Sequence, residues 1–437
     1  MVITVVIDLY GAKNNGTTVT AMRLCENLRN FGHEVRVIAY VPEDIKNPDF
    51  HGVKVLRCRK SVIVGFEWLV EAQGFTFGKT SPKEIADFIR GSDVVHIMFP
   101  FPLERMVRKV AKVMGIPITG AYHLQPENIT YTIGLGKAKG VNAYVYRLFR
   151  RWLYRYIRTI HTPSETMKQE MIQHHYRGDI HGISNGVSSF MHVIPSEKPE
   201  EFKDKFVITM VGRLSGEKRQ DLIIKAIGKS KYNDRIQLIL CGQGPKDFVY
   251  CNMAKKYLKN PLVIKFVNQE ELRKILNYTD LYVHSSDVES EAIACIEAFS
   301  CGAVPVISDS PYTATRFFSL DEHCLFKAGD PESLREKMEF FIEHEGYKKE
   351  LSPKYIEFSK TFAVADKVRE LIDMFCLEIK RDQEDKSLGR TYYSTARERR
   401  SLRRIAKKAG IMDPVIYTKD VYHSKERVDW ENINDQR

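Results

Sequence analysis

The stretch Glu289-Ser290-Glu291-Ala292-Ile293-Ala294-Cys295-Ile296-Glu297-Ala298, continued by Phe299-Ser300-Cys301-Gly302-Ala303-Val304-Pro305-Val306-Ile307-Ser308, decides how this chain folds. An apolar strand, Leu281 to His284, precedes it, and another, Val304 to Ile307, closes it. Between them runs a helix that stops at the small residues Cys301-Gly302. Strand, helix, strand in this spacing is the unit of a parallel sheet. One carboxylate, Glu289, falls in the loop before the helix and a second, Glu297, inside it. A helix N-terminus offers free N–H groups and a positive dipole end, which suit a phosphate. The carboxylates cannot serve a phosphate, because like charges repel; they suit hydroxyl groups of a sugar or a ribose. A ligand with phosphates between two polyols is a nucleotide sugar.

The same rhythm extends in both directions. In the first half the strand pattern recurs at Val2–Ile7, Glu34–Ala39, Val94–Met98, Pro117–Ala121, Thr159–His161 and Asp179–Ile183. In the second half it recurs at Phe206–Val211, Gln237–Leu240, Val263–Phe266 and Cys324–Phe326. The fold class is therefore α/β: two Rossmann-like, doubly wound domains, expected to face each other across a cleft. The expected bounds are 1–193 for an acceptor-side domain and 206–354 for a donor domain. The polar, proline-bearing segment 194–205 links them. A helix over Tyr355–Lys380 and a charged tail, 381–437, expected to be helical or partly ordered, follow.

With 43% hydrophobic residues and mixed charge, 437 residues suffice for two cores, and wholesale disorder is excluded. A net charge of +11 favours anionic partners. The eight cysteines form no C-x-x-C pair, and Cys241, Cys295 and Cys376 lie in apolar runs, as free thiols in a reducing compartment do. Met1–Tyr10 lacks the basic start of a signal peptide, and no apolar run approaches the roughly 18 residues that span a bilayer. The expectation is a cytoplasmic protein, peripheral at the membrane inner face if it meets one.

Arg213 sits just past the Phe206–Val211 strand, and Lys218 is five residues on, after a glycine turn. Two cations on one loop can hold a diphosphate and offset the charge it gains as a leaving group. Gly242 and Gly244 open the next loop and permit close backbone approach, to a ligand or to a neighbouring strand. Near the amino terminus, Gly16 closes a loop, Tyr10–Thr17, that is neither a dinucleotide fingerprint nor a P-loop, yet offers backbone to a substrate. His123 follows an apolar strand, and Glu127 is a weaker acceptor-side candidate. No Cys/His cluster has zinc spacing, and a divalent ion is redundant where Arg213 and Lys218 face the diphosphate, so no metal is expected.

Lys137 to Arg158 carries seven cations and no acid, interleaved with Tyr144, Tyr146, Phe149, Trp152, Tyr154 and Tyr156. That pattern suits an anionic lipid interface. It equally suits a core helix with solvated arginines, and different faces can satisfy both. Nucleic acid is the less favoured partner.

These features resemble the family 4 glycosyltransferases of the GT-B fold. The E-x7-E element, Glu289 and Glu297, and the Arg213/Lys218 loop carry the resemblance. It implies a retaining enzyme with a nucleotide-sugar donor and no cofactor. It implies that Glu297 holds the ribose hydroxyls and Glu289 those of the transferred sugar. Arg213, Lys218 and the backbone of Ile293 and Ala294 would hold the diphosphate, and His123 would lie beside the donor sugar. Where the family commonly has Gly-Phe-Gly after the first glutamate, this chain has Ser290-Glu291-Ala292. The acceptor is expected to be a hydroxyl, on a lipid-linked sugar or a glycan. The rival functions are a nucleotide-sugar epimerase and a non-catalytic nucleic-acid-binding protein.

Overall fold

A computed structural model of the chain describes residues 1–11, 16–43, 45, 50, 52–62, 75–136 and 138–423. By contacts the chain divides into two units: Met1–Pro126 with Ala138–Asn185 and Lys367 onward, and Glu127–Lys137 with Gly186–Asp366.

The first unit holds β1 (Val2–Leu9), β2 (Glu34–Tyr40), β3 (Lys54–Ser61), β4 (Phe77–Lys79), β5 (Val94–Ile97), β6 (Ile118–Ala121), β7 (Thr159–Thr162) and β8 (Asp179–Gly182). They form one sheet in the order β4-β3-β2-β1-β5-β6-β7-β8, parallel except for β3 with β4. Strands β5, β6 and β7 are buried on both faces, which is why they read as short apolar runs.

The second unit holds β9 (Phe206–Val211), β10 (Ile236–Cys241), β11 (Val263–Lys265), β12 (Leu281–His284), β13 (Val288–Glu289), β14 (Pro305–Ser308), β15 (Tyr312–Thr313) and β16 (Leu325–Phe326). Its main sheet runs β11-β10-β9-β12-β14-β16, all parallel, while β13 pairs with β15. The strand order reverses between β9 and β12. In open α/β sheets ligands bind outside the carboxyl ends of strands at such a switch point. The loops that follow β9 and β12 are the ones that carry Lys218 and Glu289.

Two expectations need correction. Tyr355–Lys380 is not one helix: Glu345–Lys360 ends, and Val364–Ser387 begins anew. The Phe362 carbonyl and the Val364 N–H are spent on Val187, at 2.8 and 3.0 Å, so they cannot continue a helix. The segment 194–205 is no free linker, because Lys198 pairs with Asp280 at 2.5 Å and the Ile194 N–H donates to Asn277 at 2.7 Å. The tail is helical in part, as expected: Ala396–Ala409 is a helix, capped by Thr395, that packs on the Pro102–Val113 helix. Leu402 and Ala406 close over Val113, and Arg108 meets Glu398 at 2.6 Å in a buried ion pair. Two short strands, β17 (Arg390–Thr391) and β18 (Lys419–Asp420), pair around that helix. Cys241 and Cys295 are buried free thiols, as expected, but Cys376 faces outward from Val364–Ser387 and is exposed.

Candidate active site

Past the end of β9 the chain turns at Gly212, makes a short 3-10 turn over Gly216–Lys218, and enters the helix Gln220–Lys229 through Arg219 in the left-handed region. Past β12 it forms β13 and then enters the helix Ile293–Ser300 through Ala292, also left-handed at φ 61°. Lys218 and Glu289, from these two loops, form a side-chain ion pair. His284 Nε2 lies 3.5 Å from the same carboxylate. Burial works to raise the Glu289 carboxyl, but Lys218 and His284 outweigh it and hold it at about 2. Burial disfavours the Lys218 ammonium, yet Glu289 more than offsets this and raises it. Both groups are therefore charged at neutral pH. Glu289 stands four residues before Ile293, so the pair sits on the stretch that leads into that helix N-terminus, and its charges act on Cys295 in the first turn. A cation, a carboxylate and free amide dipoles share one place at the switch point.

The loops are tied together by backbone contacts. Ser285 donates to the carbonyls of Lys218 and Arg219 at 2.9 and 3.0 Å. The Asp287 N–H donates to the Glu217 carbonyl at 2.8 Å, and Ser310 to the Asp287 carbonyl at 2.6 Å. Asp287 accepts from Arg219 at 2.9 Å and from the Tyr131 hydroxyl at 2.8 Å. Sequence reasoning passed over Asp287, Arg219, His284 and Tyr131 as site residues. Arg219 follows Lys218 directly, a signal that was available; Tyr131 is remote in sequence and gave none.

The other expected residues fall as follows. Arg213 is half-buried in the turn after β9, and its carbonyl accepts from Gln220 at 2.9 Å. Ile293 and Ala294 open the helix, half-buried, and Glu297 lies buried within it. Gly242 and Gly244 resolve the choice between a ligand and a neighbouring backbone in favour of the backbone. A Cβ at Gly242 would meet the Gly212 oxygen at 2.0 Å, and one at Gly244 the Leu214 oxygen at 2.3 Å. They therefore seat the loop that carries Arg213. Gly244→Ala is expected to destabilise the protein by about 1–3 kcal/mol, as overpacking does. A melting temperature equal to wild type would contradict that close approach.

In the first unit, Gly16 opens the helix Gly16–Asn30 with open space where a Cβ would lie; Ala12–Asn15 of the same loop are outside the described residues. His123 follows β6 and is buried, its ring edge-on to His161 at 5.2 Å. Burial first, and then His161 and His96, push it far below the ordinary imidazole range, so it is neutral. Among the described residues its Nε2 has no hydrogen-bond partner, which leaves it available to a ligand hydroxyl. Glu127 is buried in the first turn of Pro126–Thr132, in the second unit.

The basic, aromatic segment divides its faces. Its helix is Lys139–Trp152; Lys137 is outside the described residues. Tyr146 and Phe149 are core, while Val141, Tyr144, Leu148 and Trp152 are exposed at helical spacing together with Arg147 and Arg151. Arg158 is not on this surface: it is buried against Asp385 at 2.5 Å.

Two family models match the chain, one described as "Glycosyltransferase Family 4" over residues 14–189 and one as "Glycosyl transferases group 1" over 195–360. Alpha-monoglucosyldiacylglycerol synthase of Acholeplasma laidlawii is 22% identical over 67% of this chain and 76% of its own length. A GDP-mannose-dependent alpha-mannosyltransferase of Corynebacterium glutamicum is 22% identical over 70% of this chain and 72% of its own. Among solved structures, HepE of Anabaena in complex with UDP-glucose aligns at a TM-score of 0.67 and 14% identity, over 86% of this chain and 99% of that one. WaaG, a glycosyltransferase of lipopolysaccharide biosynthesis, aligns at 0.63 and 15% identity, over 85% and 99%.

Proposed function

We propose that this chain, which belongs to the family 4 glycosyltransferases and has their GT-B fold, is a retaining enzyme that moves a sugar from a UDP- or GDP-linked donor to a hydroxyl of a lipid-linked acceptor. The observation that carries the reading is the Lys218–Glu289 pair beside the N-terminus of Ile293–Ser300. The cation and the amide dipoles suit the diphosphate, whose negative charge grows as the glycosidic bond breaks. Lys218 then exchanges part of its Glu289 contact for phosphate oxygens, and Glu289 turns an acceptor oxygen to a sugar hydroxyl. Arg213 supplies the second cation, which leaves no task for a metal. Glu297, inside the helix, holds the ribose. His123, neutral and with an Nε2 that no described residue engages, accepts from or donates to the sugar. Retention follows from front-face attack by the acceptor, which needs no protein nucleophile; the enzyme orients both substrates and stabilises the leaving group. The exposed face of Lys139–Trp152 suits an acceptor that resides in a membrane, and no helix among the described residues is long and apolar enough to cross one.

A thermal-shift panel of UDP-, GDP- and ADP-sugars tests the donor. A matching donor at a hundred times its Kd stabilises the folded state by about 2.7 kcal/mol, a shift of several degrees. Glu297→Ala is expected to lose most of that shift while it melts near wild type without ligand. Failure of every nucleotide sugar to move the transition would remove the reading.

A further inference from the structure

We propose that the C-terminal helix Ala396–Ala409 is the electrostatic half of a two-part docking surface for anionic phospholipid bilayers, whose apolar half is the exposed face of Lys139–Trp152. The inference rests on the lipid-acceptor reading above and adds a second element to it, from a part of the chain beyond the residues that the family models match.

The helix has two chemically opposite sides. Glu398, Leu402, Ile405, Ala406 and Ala409 face inward and are buried. Arg397, Arg400, Arg403, Arg404, Lys407 and Lys408 face solvent. Its one acid, Glu398, is spent on Arg108 inside the protein, so no carboxylate of the helix neutralises the outer side. Cations three and four residues apart repel one another, which an isolated helix would relieve by fraying. Here the buried side holds the row in place, and the charge remains as a fixed feature that fits an anionic surface. Arg404, Lys407 and Lys408 also line a shallow hollow with Ser401 and Ile405, of a kind that accepts a phosphate headgroup. Just past the helix stop at Gly410, Met412 is 90% exposed. Cations bordered by an outward apolar side chain suit a bilayer interface better than nucleic acid, which would use the charge alone.

The two halves belong to one unit and are joined by side-chain contacts. Arg105, on the helix between them, lies 3.9 Å over the Trp152 ring, and the charge of Arg397 acts on it. Tyr156, just beyond the first helix, meets Tyr393, just before the second, at 4.8 Å. One unit therefore presents aromatic and aliphatic side chains for insertion and six cations for attraction.

The test is flotation of the full chain with phosphatidylcholine vesicles, with and without roughly a third of phosphatidylglycerol. Two variants are compared with wild type. One carries Arg400→Gln, Arg403→Gln, Arg404→Gln, Lys407→Gln and Lys408→Gln; the other carries Tyr144→Gln and Leu148→Gln. The first should melt as wild type does, bind anionic vesicles at least tenfold more weakly, and lose most of the salt dependence of binding. The second should keep the salt dependence and lose binding strength. If the first variant floats as wild type with an unchanged salt slope while the second does not float, the inference is wrong and the lipid reading stands. If wild type floats with neither vesicle yet is stabilised by a nucleotide sugar, the lipid acceptor and the inference fall together and the transferase reading stands. Tighter binding to duplex DNA than to anionic vesicles would also overturn it.

Discussion

Lys218→Ala is expected to lower kcat/KM for sugar transfer by about 10²–10³-fold, the loss typical of one preorganised group that stabilises developing negative charge. The loss should fall mainly on kcat, because the diphosphate carries more charge as the leaving group than in the donor. The same substitution has a structural consequence that must be separated from it. Lys218 is the strongest influence that lowers the Glu289 carboxyl. A folded-state value of about 2, below the ordinary 4.5, means that Glu289 contributes stability that is complete above about 4.5 and disappears as pH falls toward 2. Without Lys218, burial dominates, the carboxyl titrates higher, and the variant loses about 1–3 kcal/mol at neutral pH for a charge left poorly compensated. Lys218→Ala with Glu289→Gln should recover much of that stability and none of the activity. Transfer rates measured well below both melting temperatures separate the two effects. Wild-type kcat/KM in Lys218→Ala would sink the assignment of the pair to the donor diphosphate.

How far the sequence could be read depended on whether burial left a trace in residue type. Strands buried on both faces are apolar runs, so β5, β6, β7, β9, β12 and β14 were found within a residue or two. Strand β3, Lys54-Val-Leu-Arg-Cys-Arg-Lys-Ser61, was missed because it is charged and only Cys58 is buried. Its partner β4 is only three residues long. The helix break near Phe362 was missed because its cause is Val187, far away in sequence. At the site, the Glu289/Glu297 spacing and the nearby cations were legible as local patterns. The glycines at 242 and 244 were legible only as permissive, since what they approach is the loop after another strand. Tyr131 was invisible for a like reason, since its partner Asp287 is remote in sequence, whereas His284 stands five residues from Glu289 and was within local reach. That the tail packs on the first unit was not legible, because a buried charge such as Glu398 has the same letter as a solvated one.

That last point carries the second large effect. Arg108 and Glu398 are 290 residues apart and nearly inaccessible, at 2% and 6% of their side-chain surface. Either Arg108→Ala or Glu398→Ala leaves the other charge buried, and should cost about 3–5 kcal/mol in the unfolding of the first unit, followed by urea titration. The ring of Tyr156 lies under the Arg108 guanidinium at 4.3 Å, so Arg108→Ala also loses packing and should be the costlier of the two. Arg108→Met with Glu398→Leu, which removes both charges but keeps volume, should cost far less than either single change, because burying the pair already costs much of what the pair returns. Equal costs for all three variants would mean that the contact is packing alone. The inner side of the tail helix is thus a matter of folding and its outer side one of surface charge, so the two are separable by mutation. Glu398→Ala should weaken vesicle binding only in step with unfolding of the tail, whereas loss of the outer cations should weaken binding while the urea midpoint stays where it is.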